Sequence, residues 1–273
     1  MVTDIIKNKS TKLFIILAGF FITNALIAEL MGAKLFSLEK TFGFSPIDLH
    51  FFGQSFSFNL TAGVLLWPVV FVMTDIINEY YGPKGVRFLS YLTIGLIAFA
   101  FIMFMAAIAL HPADFWANNY YQGVPDSDAA FSGIFGQSQA IIVASLIAFL
   151  ISQLLDVFVF HKIKQVTGEK KIWLRATGST LISQFIDSFV VLFIAFYVAP
   201  RISGNTKPWS FAQVMAICIG NYIYKFLMAV VLTPIIYLVH GWIENYLGEP
   251  LALQMRRAAM GKEEEPAAVP AAG

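Results

Sequence analysis

The sequence predicts an all-α integral membrane protein with six transmembrane helices, and three observations carry this prediction. The 273-residue chain is 58% hydrophobic, with a mean hydropathy of +0.71. Only 13% of its residues are charged, against about 25% in a typical soluble domain. Long apolar runs recur along the chain, each near the roughly 20 residues that a helix needs to cross a bilayer.

The apolar runs divide the chain into six predicted membrane helices. They are 13–36, 60–81, 86–110, 138–160, 174–199 and 211–240. Residues 13–246 are predicted to form one transmembrane domain between a cytoplasmic N-terminus, 1–12, and a cytoplasmic tail, 247–273. The Glu-, Pro- and Ala-rich end of this tail is expected to be disordered. The first apolar run exceeds the roughly 7–15 residues of a signal-peptide core, so it predicts a membrane helix rather than a cleaved signal.

Basic residues predict which helix ends face the cytoplasm, because cytoplasmic loops of membrane proteins carry an excess of Lys and Arg. The opposite side holds few basic residues, and its longest loop, 111–137, has neither Lys nor Arg. We therefore predict that both termini are cytoplasmic, in agreement with an even number of helices. The basic residues of the predicted cytoplasmic side are Lys7, Lys9, Lys12, Lys84, Arg87, Lys162, Lys164, Lys170, Lys171, Arg175, Arg256, Arg257 and Lys262.

Two local features depart from the plain helical pattern. Residues 47–60 alternate imperfectly around Gly53 and predict a small β-hairpin in the outer loop between the first two helices, with an ordered loop as the alternative. Pro68 and Pro234 lie inside predicted helices, where each removes a backbone hydrogen bond and favours a kink.

Polar side chains inside the predicted helices are the candidate functional residues. A charge at the centre of a membrane helix costs about 2.5–3.5 kcal/mol on insertion scales and tends to face a bundle interior or a watery cavity. Four helices carry polar residues at i, i+3 or i+4 spacing, so each helix presents one polar face. We expect these faces to form one central site. Its candidates are Asp75, Asn78 and Glu79, then Gln153 and Asp156, then Gln184 and Asp187, then Asn221 and Lys225.

Two of these residues lie deepest in the predicted membrane. At a rise of about 1.5 Å per residue, Asp187 lies about 18 Å from the cytoplasmic boundary and Lys225 about 22 Å from its helix end. Lys225 is the only deep base, and Asp187 is the acid that best matches its depth. The pair predicts either ligand binding or a structural ion pair. The surplus acids, Asp75 and Asp156, must be protonated, hydrated or satisfied by a ligand.

A short motif occurs twice, as SQLLD at 152–156 and SQFID at 183–187. The two aspartates are predicted at different depths, so we assign Asp187 to the ligand and Asp156 to gating or support. The alternative is that Ser and Gln bond neighbouring helices together.

Aromatic side chains and charged residues near the helix ends also have predicted positions. Trp67, Phe71 and Asp75 are spaced i, i+4, i+8, which sets aromatic faces on one stripe with a carboxylate, with a packing stripe as the alternative. Glu79 near the end of the second helix is expected to reach the interface, as are Glu29 and Lys34 near the outer end of the first. The four histidines show no ligand spacing, so no metal or cofactor is expected.

The polar segments resemble one known family. The stretch PVVFVMTDIINEYYG, 68–82, resembles the motif P-x-x-F-x-x-x-D-x-x-x-E-x-Y-G in the second helix of the queuosine precursor transporter (VUT) family. SQLLDVFVFHKIK, STLISQFIDSFVVLFIAF and the Asn/Lys face of the sixth helix follow in the expected order. The likeness covers about 13–245, whereas loop 111–137 is longer than expected of shorter members.

This resemblance implies a bacterial inner-membrane importer of 7-deazaguanine precursors of queuosine, such as preQ0 or preQ1. It also implies a six-helix bundle similar to the substrate-binding components of energy-coupling-factor vitamin transporters. A carboxylate would accept hydrogen bonds from the donor edge of the ring, an amide or Lys would donate to its carbonyl, and an aromatic face would stack. Asp187 or Asp156 is expected in the first role, Gln153, Gln184 or Asn221 in the second, and Trp67 or Phe71 in the third. The full expected substrate-binding set is Asp187, Gln184, Asp156, Gln153, Asp75, Asn78, Asn221, Lys225, Trp67 and Phe71.

Other function classes stay as alternatives. The chain has no G-x-x-x-x-G-K-[ST] motif, so ATP-driven import would need a separate ATPase module as a partner. Asp156 and Asp187 would be the dyad of an intramembrane aspartyl enzyme, but the YD and GxGD motifs are absent around them, and we expect no enzyme. A purely structural protein is disfavoured by four converging polar faces. The expected partners are a purine-like small molecule and the lipid bilayer, not nucleic acid, and a homodimer stays open.

Overall fold

Long apolar helices make up most of the structure. The computed structural model describes residues 7–45, 49–51, 54–56, 58–117, 124–136, 139–167, 172–202 and 208–261. Within these ranges, five helices are long and apolar enough to cross a membrane, which confirms the prediction of an all-α membrane protein. They are Lys9–Met31, Trp67–Ile108, Ile141–Thr167, Leu174–Ile202 and Phe211–Leu247.

The elements follow one another in a simple order. The helices are α1 (Lys9–Met31), α2 (Leu38–Thr41), α3 (Trp67–Ile108), α4 (Asp114–Ala117), α5 (Ser127–Phe135), α6 (Gln139–Thr167), α7 (Ile172–Leu192), α8 (Ala199–Ile202), α9 (Phe211–Leu247) and α10 (Glu249–Ala259). The strands are β1 (Leu35–Ser37), β2 (Leu49–Phe51), β3 (Gln54–Phe56) and β4 (Asn59–Thr61). A π-helical stretch, Phe193–Val198, continues α7 into α8.

Helix α3 accounts for the difference between six predicted spans and five observed helices. It covers most of both predicted spans, 60–81 and 86–110, and two helical segments meet within it at Gly82, where the backbone is not helical. Gly82 has φ +67°, and a Cβ at this position would lie 3.0 Å from the backbone oxygen of Ala259. Only glycine adopts this backbone region without strain. The break therefore depends on a residue without a side chain.

The loop between the first two predicted helices forms strands, as the sequence predicted. Strands β2 and β3 are antiparallel, with Leu49 opposite Phe56, and this confirms the hairpin within 47–60. A second antiparallel pair, β1 with β4, was not predicted. Leu60 of β4 is buried against Tyr224 of α9, so this pair packs on the helical bundle.

Several helix boundaries differ from their predictions for local reasons. Pro68 lies in the first turn of α3 rather than in a helix interior, so the predicted kink at this residue is wrong. Pro234 does lie inside α9, as predicted. The predicted loop 111–137 contains helix α5, and Phe135 at its end stacks on Phe104 with ring centroids 4.7 Å apart.

The segment after residue 247, predicted as a tail, begins with a helix. Helix α9 ends at Gly248, which has φ +86°, and α10 follows it directly. Helix α10 packs against α3 through the buried side chains of Ala252 and Met255. The predicted disorder at the end of the tail concerns residues 262–273, which lie outside the described ranges.

The main hydrophobic core joins α1, α3, α6, α9 and α10. Its buried side chains include Phe21, Ile76, Phe149, Ile243 and Met255. Large apolar side chains such as Ile16, Phe99 and Val231 are exposed on the outside of the bundle, as expected of surfaces that face lipid.

Candidate functional site

A narrow cavity lies in the interior of the bundle, between α3, α7 and α9. Its polar lining consists of Asp75, Thr177, Thr180, Gln184 and Lys225. Its interior volume is about 20 Å³, which is close to the room that one water molecule needs. The cavity is therefore too small for a ring-sized ligand in this conformation.

Helical periodicity explains why these side chains meet. Phe71 and Asp75 are one turn apart on α3, and Gln184 lies one turn after Thr180 on α7. Residues spaced by three or four positions share one helix face, so each helix contributes a continuous strip to the lining. The apolar part of the lining is Pro68, Phe71, Val72, Ala176, Ala229, Leu232 and Ile236.

Asp187 and Lys225 form an ion pair beside this cavity. The Lys225 Nζ lies 2.7 Å from Asp187 Oδ2, and the two side chains are 9% and 20% exposed. The hydroxyl of Ser152 on α6 lies 3.4 Å from Asp187 Oδ1. The pairing of these two residues, predicted from their matching depths, is confirmed. Lys225 lines the cavity, whereas Asp187 lies behind it.

Asp75 presents a free carboxylate oxygen in the interior. Its side chain is 1% exposed, and Thr180 Oγ1 donates to Asp75 Oδ2 at 3.3 Å. In the part of the chain that the structure describes, Asp75 Oδ1 has no hydrogen-bond partner, and neither amide atom of the buried Asn78 has one. A buried polar group without a partner costs about 1–3 kcal/mol. Asp75 lines the cavity, whereas Asn78 is not part of its lining.

Asp156 and Gln153 are fully buried on α6 but do not line the cavity. Ser183 Oγ donates to Asp156 Oδ1 at 3.0 Å, and Thr74 Oγ1 donates to Gln153 Oε1 at 3.0 Å. Within the described ranges, Asp156 Oδ2 and Gln153 Nε2 are without partners. These two residues form a second polar layer behind the cavity.

The remaining candidates divide between the cavity and its surroundings. Gln184 lines the cavity, and its Nε2 has no partner among the described residues. Phe71 also lines it, whereas Trp67 packs on Phe149 with ring centroids 5.5 Å apart. Asn221 is half-buried one helical turn before Lys225 and is not part of the lining.

The two SQxxD segments bond to each other. Ser152 on α6 lies next to Asp187 on α7, and Ser183 on α7 donates to Asp156 on α6. The hydroxyl of each motif therefore contacts the carboxylate of the other. This exchange bears out the alternative interpretation that the serines bond neighbouring helices. The repetition of Ser before Gln in both motifs was the available sequence signal.

Glu79 is buried in an ion cluster, so the expectation that it reaches the interface is wrong. Its side chain is 0% exposed and lies 2.6 Å from Arg175 Nη2 and 3.0 Å from Lys164 Nζ. Arg175 Nε also donates to Glu79, at 3.1 Å. Both bases, counted as loop charges in the sequence, are buried in α6 and α7. Buried charges need this pairing because desolvation alone costs several kcal/mol per ion.

Glu29 is a second correction to the interface prediction. It is buried on α1, where the hydroxyl of Ser145 donates to its carboxylate, whereas Lys34 is exposed. In the described part of the chain, no group of three or more His, Cys, Asp or Glu side chains could hold a metal ion.

Several long apolar helices define the chain as a multi-pass membrane protein, and buried polar side chains inside such helices are typical of transporters. The comparisons with known proteins agree with this class. The family model described as "putative vitamin uptake transporter" matches residues 61–239. The chain belongs to this family, and it is therefore a transporter of the inner membrane rather than an enzyme.

Three similar sequences bear names from one branch of such transporters. The chain is 30% identical over 195 residues to the "probable queuosine precursor transporter" of Bacillus subtilis (strain 168), covering 70% of this chain and 76% of that one. A protein of the same name from Haemophilus influenzae is 26% identical over 185 residues, which is 66% of this chain and 67% of the relative. The "queuosine precursor transporter" of Escherichia coli K12 is 25% identical over 175 residues, with shares of 64% and 69%.

The resemblance stated from the helix motifs is thereby confirmed at the level of the family. No solved structure matches the chain. The likeness to the binding components of energy-coupling-factor transporters stays a prediction.

The Glu79 cluster leads to a prediction about stability. Glu79→Gln removes the carboxylate that contacts the buried cations of Lys164 and Arg175, and we expect a loss of about 3–5 kcal/mol in the free energy of unfolding. Thermal unfolding of the purified protein in detergent measures this loss as a lower midpoint temperature.

The matched control is Glu244→Gln, which removes a carboxylate that contacts Arg256. That ion pair is 2.6 Å long, but Glu244 is 41% exposed, so its loss is expected to cost about 0–1 kcal/mol. Equal unfolding temperatures for the two variants would contradict the structural role of the Glu79 cluster.

Proposed function

We propose that this protein imports queuosine precursors, 7-deazaguanines such as preQ0 or preQ1, and binds their ring in the cavity between α3, α7 and α9. The observation that carries this proposal is the cavity lining, which combines a carboxylate, an amide, an ammonium group and an aromatic face in a chain of this family. The names of the three relatives supply the substrate class.

The donor edge of the ring suits Asp75. A guanine-like ring presents N1–H and a 2-amino group side by side, and one carboxylate accepts both. Asp75 lines the cavity and has one oxygen without a partner among the described residues. Hydrogen bonds to an ionised acceptor are roughly twice as strong as neutral ones. This role passes to Asp75 from Asp187, whose carboxylate is engaged by Lys225.

The carbonyl and the faces of the ring suit the other lining residues. Gln184 Nε2 is a buried donor without a partner in the described ranges, and Lys225 supplies a second donor nearby. Phe71 is 1% exposed in the lining and offers a surface for stacking, which is worth about 1–3 kcal/mol per base in nucleic-acid systems. The lining therefore offers an acceptor for the ring donors, donors for the carbonyl and an aromatic side chain for the ring face.

Entry of the ring requires the cavity to open, since about 20 Å³ holds no more than a water molecule. Pro234 lies on α9 between the lining residues Leu232 and Ile236, and it removes one helical hydrogen bond there. We propose that α9 bends at Pro234 to admit the substrate. A conformational change of this kind is expected of any transporter that alternates between two sides of the membrane.

The proposal for the site is tested with Asp75→Asn. An amide cannot accept both ring donors, so we expect the dissociation constant for preQ0 to rise about 10- to 150-fold, which corresponds to the roughly 1.5–3 kcal/mol of a hydrogen bond to a charged group. Equilibrium binding of radiolabelled preQ0 to the purified protein measures the change.

The control is Asp128→Asn in α5, which removes an acid outside the cavity and is expected to leave binding unchanged. Unaltered preQ0 affinity in a folded Asp75→Asn variant would sink the assigned role of Asp75.

We also propose that α3 crosses the membrane twice, which gives six crossings and two cytoplasmic termini. The non-helical backbone at Gly82 and the basic residues Lys84 and Arg87 beside it support a cytoplasmic turn at this point. His111, near the other end of α3, would then face the outside.

Cysteine labelling distinguishes the two arrangements of α3. The native Cys218 is 0% exposed and gives little background. A membrane-impermeant maleimide added to intact cells is expected to label His111→Cys and not Lys84→Cys, with both labelled after lysis. Labelling of Lys84→Cys in intact cells would exclude the cytoplasmic turn.

A further inference from the structure

We propose that Asp75 and Asp156 share one proton, and that this proton is the coupling ion for uptake. The inference rests on the proposed import function and adds its energy source. It assigns to Asp156 a role apart from contact with the ring.

The two carboxylates meet at one turn of α7. Thr180 Oγ1 donates to Asp75 Oδ2 at 3.3 Å, and Ser183 Oγ donates to Asp156 Oδ1 at 3.0 Å. Because Thr180 and Ser183 are one turn apart on α7, they bring an acid of α3 and an acid of α6 into one cluster.

The charged side chains near this cluster form ion pairs with other residues. Glu79, on the same helix as Asp75, is paired with Lys164 of α6 and Arg175 of α7. Lys225 of α9 lines the cavity with Asp75, but its ammonium group lies 2.7 Å from Asp187 of α7. In the described chain, neither Asp75 nor Asp156 forms an ion pair with a base.

Burial then limits the charge that the two acids can carry. Asp75 is 1% exposed and Asp156 0% exposed, and their charges repel each other. Two neighbouring carboxylates in a site of low dielectric constant cannot both ionise, so the pair retains a proton. The free atoms, Asp75 Oδ1 and Asp156 Oδ2, are the positions where that proton can reside.

Two unpartnered amides support a site that binds and releases a proton. Asn78 lies one turn from Asp75 on the same face of α3, and Gln153 lies one turn from Asp156 on the same face of α6. Asn78 is 2% exposed with both amide atoms unpartnered, and Gln153 is 0% exposed with Nε2 unpartnered, within the described ranges. An amide nitrogen can donate to an ionised carboxylate, and an amide oxygen can accept from a protonated one.

Proton and substrate are coupled through Asp75. The ring donors need Asp75 as a carboxylate, because a protonated acid uses one oxygen to hold its own hydrogen. When the ring is bound, the retained proton must therefore occupy Asp156 Oδ2. One proton then accompanies each ring into the closed cavity, and both leave on the cytoplasmic side.

The test uses purified protein in proteoliposomes with radiolabelled preQ0, whose nitrile does not titrate. For the unmodified protein, an acidic outside is expected to drive accumulation above the external concentration, and a protonophore is expected to abolish it. Asp156→Asn fixes this residue in a neutral form. It is expected to bind preQ0 within about threefold of the unmodified protein and to retain counterflow exchange. Accumulation driven by the pH gradient is expected to be lost.

Binding as a function of pH gives an independent readout. The affinity of the unmodified protein is expected to fall about tenfold per pH unit once the pair has released its proton. The affinity of Asp156→Asn is expected to stay flat over the same range. Asp156→Glu keeps a titratable group and is expected to retain coupled accumulation, which also guards against a variant that fails to fold.

The outcomes separate this inference from the proposed function. Accumulation driven by the pH gradient in Asp156→Asn, or accumulation that follows a sodium gradient instead, would overturn the shared proton. Binding of preQ0 without accumulation under any ion gradient would also overturn it, yet leave the proposed substrate intact and point to a separate ATPase module. An unmodified protein that binds no 7-deazaguanine would refute the proposed function itself.

Discussion

The polar interior of this protein depends on a reciprocal exchange of hydrogen bonds between α6 and α7. Ser152 of α6 contacts Asp187 of α7, and Ser183 of α7 donates to Asp156 of α6. Residue numbers therefore rise along α6 in the direction in which they fall along α7. This order requires antiparallel helices, and it places each aspartate of the repeated SQxxD motif against the serine of its counterpart. In an apolar bundle a carboxylate without donors is costly, so the exchange stabilises both helices in one register.

The exchange directs the two aspartates to different sides of the interior. Asp187 meets Lys225 of α9, whereas Asp156 and Asp75 accept hydrogen bonds from Ser183 and Thr180, which are one turn apart on α7. The same motif thus yields a neutral ion pair on one side and an uncompensated acid pair on the other. Between them lies the cavity, whose lining is drawn from α3, α7 and α9. Glu79, Lys164 and Arg175 form a separate buried ion cluster.

Hydropathy and helical spacing predicted the features that depend on one helix at a time. The membrane helices, the polar faces and the pairing of Asp187 with Lys225 follow from composition and depth, and the hairpin follows from alternation. Features that depend on contacts between helices were missed. Nothing local to Glu79 reveals that Arg175, 96 positions later, lies against it. The break at Gly82 depends likewise on the approach of Ala259, and Pro68 was misread because the start of α3 was placed too early.

The central claim is that the interior of this bundle binds a guanine-like ring, and a ligand screen by thermal shift tests it most directly. Purified protein would be heated with preQ0, preQ1, queuine, guanine, adenine or a panel of vitamins. A ligand that binds the folded state alone raises its stability by RT ln(1 + [L]/Kd). The account predicts that 7-deazaguanines raise the unfolding temperature. Adenine, which lacks the N1–H and 2-amino donors, is expected to leave it unchanged. Stabilisation by a vitamin alone, or by no 7-deazaguanine, would contradict it.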